Sequence, residues 1–545
     1  MQQHLCQCDV VVIGGGLTGI VAAIELLSAG KRVTMLDRDS EENFGGLAKE
    51  SFGGILVVGS QEQRRAGLQD TPELALQDWL AFGGFSQPGT SVDADEMWPR
   101  RWAEAYVNEC EAEVYRWLKS RGLAFLPLPL WVERGESVRG NSVPRWHVVW
   151  GTGQGLMQRL IGHLLGHPRR DLLNLEFDRR VEELIEEGGR IVGCRGIVEG
   201  AGDARKVFEV RADTVLVATG GINGSLERVR RHWHADWRTP PETILNGAHK
   251  YADGMLHDAV QTVGGKLTHL DRMWNYAAGV HHWKPRKPGH GLSLVPPRSA
   301  LWLNWRGQRI GPQPLVTGFD TRDLVTQVCK QERQYSWQLL NRRIALKELA
   351  VSGAEFNPSI RNSSKLALLR DLLFGNRWLL KEMTAHCSDF VVAASLPELV
   401  DKMNALQGDD SVSYARVLDE AVRYDARIER GEPYSDEQLR RIALVRHWKG
   451  DRLRTCKFQK ILDPQAGPLI AIREFIISRK SLGGIQTDLD SRVLDLHGAA
   501  IPGLLAAGEA AGFGGGGMNG LRGLEGTFLG GCIYGARRAA AAIIK

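Results

Sequence analysis

The run Asp9-Val-Val-Val-Ile-Gly14-Gly15-Gly16-Leu17-Thr18-Gly19 constrains this chain more than any other stretch. Val10–Ile13 is a short apolar run of the kind that forms a buried strand. Glycines at 14, 16 and 19 then allow a tight turn, close backbone approach of a ligand, and close packing of helix on strand. Ile20, Ala23, Ile24 and Leu27 recur at helical spacing, and Gly30 stands where a helix stops. Lys31–Leu36 predicts a second strand, followed by Asp37 and Arg38. A helix N-terminus offers N–H groups and partial positive charge to phosphate, and a carboxylate after the second strand suits ribose hydroxyls. The unit therefore predicts a dinucleotide site, with Gly14, Gly16, Leu17, Thr18, Gly19, Asp37 and Arg38 around it.

Two further strand-then-glycine patterns choose among nucleotides. One is Ala212–Val217 running into Ala218-Thr219-Gly220-Gly221; the other is Leu504–Ala507 running into Gly508-Glu509. More than half of the chain separates them. One nucleotide domain made in two parts around a long insertion suits a flavoprotein better than a simple nicotinamide dehydrogenase.

Composition sets the outer bounds. A chain of 545 residues supports two or more domains, and 43 % hydrophobic content excludes general disorder. A net charge of +5, with no single-sign block, argues against a nucleic-acid partner. Eight cysteines spread over this length do not make a disulfide framework. The polar Met1–Cys8 segment leaves no room for a cleavable leader, and no window is long and apolar enough to span a bilayer. A cytoplasmic location without stable membrane insertion is expected. Cys6 and Cys8, and the group His281, His282 and His290, lack the companion ligands of a metal site, so none is expected.

Several longer motifs, taken together, resemble the FAD-dependent fumarate reductase/succinate dehydrogenase flavoprotein superfamily, and more closely its ketosteroid-dehydrogenase-like branch. They are Gly45-Gly46-Leu-Ala-Lys-Glu-Ser51-Phe-Gly53-Gly54, Tyr251-Ala-Asp253-Gly254-Met255, Ser481-Leu-Gly-Gly-Ile-Gln-Thr487-Asp488, Gly508-Glu509 and Gly523-Leu-Glu-Gly-Thr527-Phe-Leu-Gly-Gly531. The last favours the ketosteroid-like branch. The resemblance implies an α/β fold: a Rossmann-like two-part FAD-binding domain, 1–270 and 451–545, with an inserted α+β capping domain, 271–450. It implies FAD, held non-covalently because Asn43–Ala48 lacks the His-linked pattern. It adds Gly45, Gly46, Ser51, Gly53, Gly54, Val181, Ala218, Thr219, Gly220, Asp253, Gly254, Gly508, Glu509 and Thr527 to the cofactor set. Within the insertion, 271–315 is rich in Trp, Pro and His, unlike a continuous sheet, while Tyr335–Leu349 reads as helical.

Desaturation beside a carbonyl needs a base for the α-proton and a donor for the developing enolate oxygen. Arg522 resembles the C-terminal substrate arginine of the fumarate reductases, and Arg322, in Thr321-Arg322-Asp323, their proton donor. A surface pair of Arg322 with Asp323 is the alternative. Two departures stand out. Arg479 and Lys480 occupy the place of the fumarate reductases' histidine, and Pro468-Leu-Ile470-Ala471 puts Ile470 where ketosteroid dehydrogenases carry a base tyrosine. Tyr276 is a candidate replacement base, with an ordinary aromatic at a domain edge as the alternative; a phenol of pKa ~10 would need nearby cations, such as Arg479, Lys480 or Arg522. His147 reads more readily as structural than catalytic. Trp274, Trp283, Trp302 and Trp305 suit an apolar cleft or a core. Three functions follow: a dehydrogenase for an apolar ketone such as a 3-ketosteroid, a fumarate-reductase-like enzyme for a small carboxylate, or a non-catalytic flavin binder. No electron acceptor is named by the sequence.

Overall fold

A computed structural model of the chain describes residues 3–86, 94–200, 206–431 and 434–545, without the side chains of 3–7. Met1, Gln2 and the Cys6 side chain, on which part of the N-terminal reading fell, lie outside the described residues.

The first strand starts earlier than its apolar run, at Gln3. Gln3, His4 and Leu5 pair in parallel with Phe208–Val210, past an irregularity before Cys8. Ladder hydrogen bonds to a long neighbour keep these residues extended without help from an apolar pattern. Val10–Val12 are fully buried, with Val33–Leu36 on one side and Thr214–Val217 on the other, all parallel. A parallel strand covered on both faces reads as a continuous apolar run, which is why this segment was legible.

The strands of this sheet run in the order Arg492–Leu494, Ala500–Ala506, Val207–Val217, Gln3–Ile13, Val33–Leu36, Leu173–Glu176. Leu504–Ala506 lies parallel to Val215–Val217, so the two distant strand-then-glycine segments are neighbours. The helix Leu17–Ser28 packs on the C-terminal helix Thr527–Ile544.

The chain divides into two compact units: Met1–His232, Ala248–Trp274 and Lys480–Lys545 form the first, Trp233–Gly247 and Asn275–Arg479 the second. The first holds the parallel sheet. It also buries Arg145 completely between Asp70 (2.8 Å) and Asp78 (2.7 Å). His147 sits beside this network with Nε2 2.6 Å from Ser60 Oγ; burial pushes its pKa down to about 4, as for a neutral structural ring.

The second unit is built on a mainly antiparallel sheet whose central strand, Leu469–Ser481, is flanked by Tyr335–Asn341 and Met273–His281. Two expectations fail here. Tyr335–Leu349 is not one helix: Tyr335–Asn341 is a strand, and only Arg342–Glu348 is helical. Tyr335, Trp337 and Leu339 alternate with Ser336 and Gln338, a period of two. Asn341 then caps the helix by accepting from Ile344 N at 3.1 Å. The stretch 271–315 does supply sheet, as Met273–His281, Gly291–Val295 and Leu301–Leu303, because its prolines and glycines fall between the strands. Trp302 and Trp305 are buried, Trp283 packs against the core, and Trp274, which belongs to the first unit, is buried too, so these rings are spent on packing rather than on lining a cleft. Ile470 is also core, paired with Leu340 and Val392.

Candidate functional site

Glycine turns of the first unit converge at the C-terminal end of Gln3–Ile13. A Cβ at Gly14 would stand 2.4 Å from Ala218 O and 3.3 Å from Thr219 Cα, so the first turn packs directly on the turn after Val217. Ala218 N donates to Ile13 O at 2.8 Å, and Gly220 follows with a left-handed φ of +79°. Gly19 packs as closely, its Cβ position 2.0 Å from Gly14 O. Gly16 differs: a Cβ there meets nothing within 4 Å, and Gly16 caps Leu17–Ser28 with no side-chain hydrogen bond. The mouth of this helix is open backbone, with Leu17 and Thr18 in its first turn.

Other elements close around that mouth. Gly45 N donates to Gly15 O at 3.2 Å, and the Cβ position of Gly46 lies 3.1 Å from Gly16 Cα. Ser51 O accepts from Gly153 N, while Gly53 and Gly54 press against Thr152 and the Trp146 indole. Gly508 abuts Thr18, its Cβ position 2.1 Å from Oγ1. Thr527 starts the C-terminal helix, buried, its hydroxyl donating to Leu524 O at 2.8 Å. Val181 is buried on the strand Arg179–Glu187.

The carboxylates are engaged. Asp37 accepts from Gly15 N (3.0 Å) and Asp39 N (2.9 Å), and burial raises its pKa. Arg38 bonds Glu199 at 2.8 Å and Asp253 at 2.6 Å and stacks over Tyr251. Asp253 in turn accepts from Met255 N at the start of the helix Met255–Thr262, just past Gly254. Glu509 Oε1 accepts from Ser481 N at 2.9 Å. Ser481 Oγ bonds Asn223 Oδ1 at 2.7 Å and accepts from Ile222 N at 2.8 Å.

Ser481 thus ties Glu509 to the turn after Val217, and with Asn223 it was missed as a site residue. Asn519 was missed too. It is fully buried in the glycine-rich loop after Gly508, and neither its amide nitrogen nor its amide oxygen has a partner. Its signal was a lone carboxamide between Met518 and Gly520, inside a run of glycines. Such a buried orphan donor–acceptor pair needs a polar ligand.

FAD fits these residues. Its pyrophosphate needs the open backbone before Leu17–Ser28, and its polar ring edge needs a donor–acceptor pair such as Asn519. Cys532, near Thr18 and Glu509, is half-buried, and desolvation pushes its thiol up to about 12, so it brings no thiolate chemistry. Among the described residues, no group of three or more His, Cys, Asp and Glu side chains is placed to hold a metal ion.

Of the four residues predicted as catalytic, Arg522 is in the first unit, half-buried near Gly84. The other three are in the second. Tyr276 packs with Leu245, Phe475 and Ile477. Arg479 Nη1 donates to Gly247 O at 3.0 Å, its Nε is buried without a hydrogen-bond partner, and Ile477 closes on the same Gly247. Tyr276 and Arg479 therefore flank one segment. Arg322 lies elsewhere, on the helix Thr321–Cys329, bonded to Asp236 at 2.8 Å and lying over Trp237. It is buried, and its partner is Asp236 rather than Asp323.

The FAD binding domain family matches residues 9–529. A KsdD-like steroid dehydrogenase of Mycolicibacterium smegmatis is 42 % identical over 541 residues, 96 % of each chain. Among solved structures, the 3-ketosteroid-Δ4-(5α)-dehydrogenase of Rhodococcus jostii with 4-androstene-3,17-dione aligns with a TM-score of 0.62 and 22 % identity, over 100 % of this chain and 98 % of its own. The open conformation of a flavocytochrome c3 fumarate reductase gives 0.67 and 18 %, over 99 % and 78 %. At those identities the structures speak to fold alone. With the cradle and the sequence match in agreement, the chain belongs to the FAD binding domain family, on the branch of the KsdD-like steroid dehydrogenases.

Proposed function

We propose that this chain is an FAD-dependent dehydrogenase that desaturates a carbon–carbon bond beside the carbonyl of an apolar ketone, a 3-ketosteroid in particular. The observation that carries this reading is 42 % identity to a steroid dehydrogenase across 96 % of both chains. Bound in the cradle, FAD supplies the acceptor for the hydride that leaves the substrate. The protein then has two tasks: taking the α-proton, and stabilising negative charge on the ketone oxygen.

We assign the proton to the Tyr276 phenol oxygen. Arg479, which flanks the same Leu245–Gly247 segment from the strand Leu469–Ser481, supplies the positive charge that favours the phenolate. Arg522 is assigned to the ketone oxygen, as a planar cationic donor with several N–H groups in a fixed fork. The second unit reads as the substrate domain, and the location as cytoplasmic. The small-carboxylate alternative leans on Arg322 and Arg522; the charge of Arg322 is already balanced by Asp236, and the fumarate reductases' histidine is missing.

The test is anaerobic reduction of the purified yellow protein. Addition of a 3-ketosteroid is expected to bleach the flavin absorbance, and fumarate with a reduced dye to give no turnover. The opposite pair of results would assign the small-carboxylate reaction. A flavin that neither class touches would leave a binding protein only.

A further inference from the structure

The helix Lys365–Phe374 has no fully buried residue, although five of its ten residues are leucine and a sixth is phenylalanine. It reaches the rest of the second unit with one side: Leu368, Asp371 and Leu372 are half-buried. The other side should be polar on a solvated helix, and is not. Leu366, Leu369 and Leu373, spaced to share one face, are 83 %, 54 % and 66 % exposed. Phe374 at 63 % and Trp378 at 42 %, on the next helix Arg377–His386, extend the patch. Scattered exposed leucines need no explanation, but a contiguous apolar stripe does.

Charge indicates what covers it. Lys365 and Arg370 border the leucine stripe, and Arg377 and Lys381 follow on the next helix, all exposed. The helix Arg342–Glu348, which packs on both, adds exposed Arg342, Arg343 and Lys347. Against these seven cations the three helices carry three carboxylates. Asp371 and Glu382 are half-buried; Glu348 is buried and taken up by Ser299 and the Cys456 N–H. Arg370 pairs with Asp371 and Arg343 with Asp463, which still leaves a positive surplus around the stripe. A second copy of the chain would bring this cationic rim against its own like. An anionic lipid surface complements both features, since apolar side chains enter the acyl boundary while Lys and Arg reach the headgroups. Trp378 has the amphipathic ring that favours that interface.

We propose that the helix Lys365–Phe374, with Phe374 and Trp378, docks this protein on an anionic lipid bilayer, lying in the interface plane. No helix among the described residues is long and apolar enough to cross a membrane, so the attachment is peripheral and salt-sensitive. The inference stands on the stripe and its charges and does not depend on the steroid reading.

The test is flotation of the full-length flavin-loaded protein with vesicles, and it needs no turnover. The protein is expected to float with vesicles of mixed phosphatidylglycerol and phosphatidylcholine, less so as salt is raised, and poorly with phosphatidylcholine alone. Leu369→Glu with Leu373→Glu is expected to lower the bound fraction at least about tenfold, with flavin absorbance and melting unchanged. Lys365→Glu with Arg370→Glu, which leaves the stripe intact, is expected to abolish the preference for anionic lipid. Wild-type protein that stays in solution with both vesicle types overturns the proposal, as does a leucine double variant that floats equally well. A wild-type dimer that Leu369→Glu converts to monomer assigns the stripe to a second copy instead, which also overturns it.

Discussion

Arg38 and Asp253 form an ion pair with 2.6 Å between Nη1 and Oδ2, although 215 residues separate them. Each falls in its own cofactor motif: Arg38 follows Asp37 after the second strand, and Asp253 stands in Tyr251-Ala-Asp253-Gly254. Their union, with Tyr251 under the guanidinium, makes them one positioning device rather than two independent contacts. Asp253 also fixes the start of Met255–Thr262, so the pair ties that helix to the segment after the second strand.

The pair should behave non-additively. Arg38→Ala and Asp253→Asn are each expected to weaken FAD binding about tenfold, or about 1.4 kcal/mol. The double variant should lose clearly less than the sum, with a coupling on the order of 0.5–1.4 kcal/mol. Titration of apoprotein with FAD, followed by flavin fluorescence, measures all three. Strict additivity would mean that each residue meets the cofactor separately.

Gly14 and Gly16 should fail in different ways. A methyl at Gly16 meets no protein atom, so Gly16→Ala is expected to melt close to wild type yet bind FAD at least about tenfold more weakly, because the methyl fills the phosphate approach. A methyl at Gly14 runs into Ala218 O, at a φ of +111°. Gly14→Ala is therefore expected to cost stability, about 1–3 kcal/mol from backbone strain before the clash is counted. Calorimetry alongside FAD titration separates the two, and equal loss of stability in both variants would contradict the open-mouth geometry.

This contrast shows what the sequence made readable. The cradle was legible because each glycine answers a local demand, and local demands leave a pattern in consecutive residues. That Ala212–Val217 and Leu504–Ala507 serve one nucleotide domain was legible because both end in the same apolar-then-glycine form; their parallel pairing is what the structure adds. Other features depend on partners far away in the chain. Asp236, which holds Arg322, lies 86 residues before it, and nothing around Thr321-Arg322-Asp323 announces that partner. Asn519 gives the sequence no more than a lone carboxamide among glycines; it is packing, which buries it and leaves its amide unsatisfied, that marks it. Tyr335–Leu349 was misread where a strand passes into a helix within one apolar-rich stretch, and Asn341, the capping residue between them, was the signal that went unread.

The catalytic assignments divide by what each substitution leaves intact. Tyr276→Phe keeps the ring against Phe475 and Ile477 and removes the proton acceptor. Steroid-dependent flavin reduction is expected to slow by about 10²–10⁴-fold with FAD content unchanged. Arg479→Ala removes a positive charge from the same segment, which disfavours a phenolate, so the rise of activity with pH should move to higher pH. Arg522→Ala is expected to cut the rate by about 10²–10³-fold, again without loss of flavin. Stopped-flow reduction across pH, with flavin content measured on each preparation, checks the set. Equal loss of flavin and rate in the Arg522 variant would make that residue structural.

Glu474 gives a stability prediction whose sign is fixed by burial. It lies on the central strand of the second unit opposite Ser336, fully buried, with neither carboxylate oxygen in a hydrogen bond. Burial, with a smaller push from the Asp389 charge, raises its pKa well above the usual carboxylate range. The folded chain therefore keeps the Glu474 proton at pH values where the unfolded chain, near pKa ~4.3, has released it. Below that unfolded value both states are protonated and the group adds no pH-dependent cost. Above it, stability falls as pH rises toward the folded pKa, because folding must recapture a proton. Glu474→Gln keeps the shape and removes the titration. The variant should melt with wild type near pH 4 and above it at pH 7 to 8, by about 1 °C for each kcal/mol recovered. Thermal unfolding across this range is the measurement. A variant less stable than wild type at pH 8 would show that an ionised Glu474 has a partner in the fold.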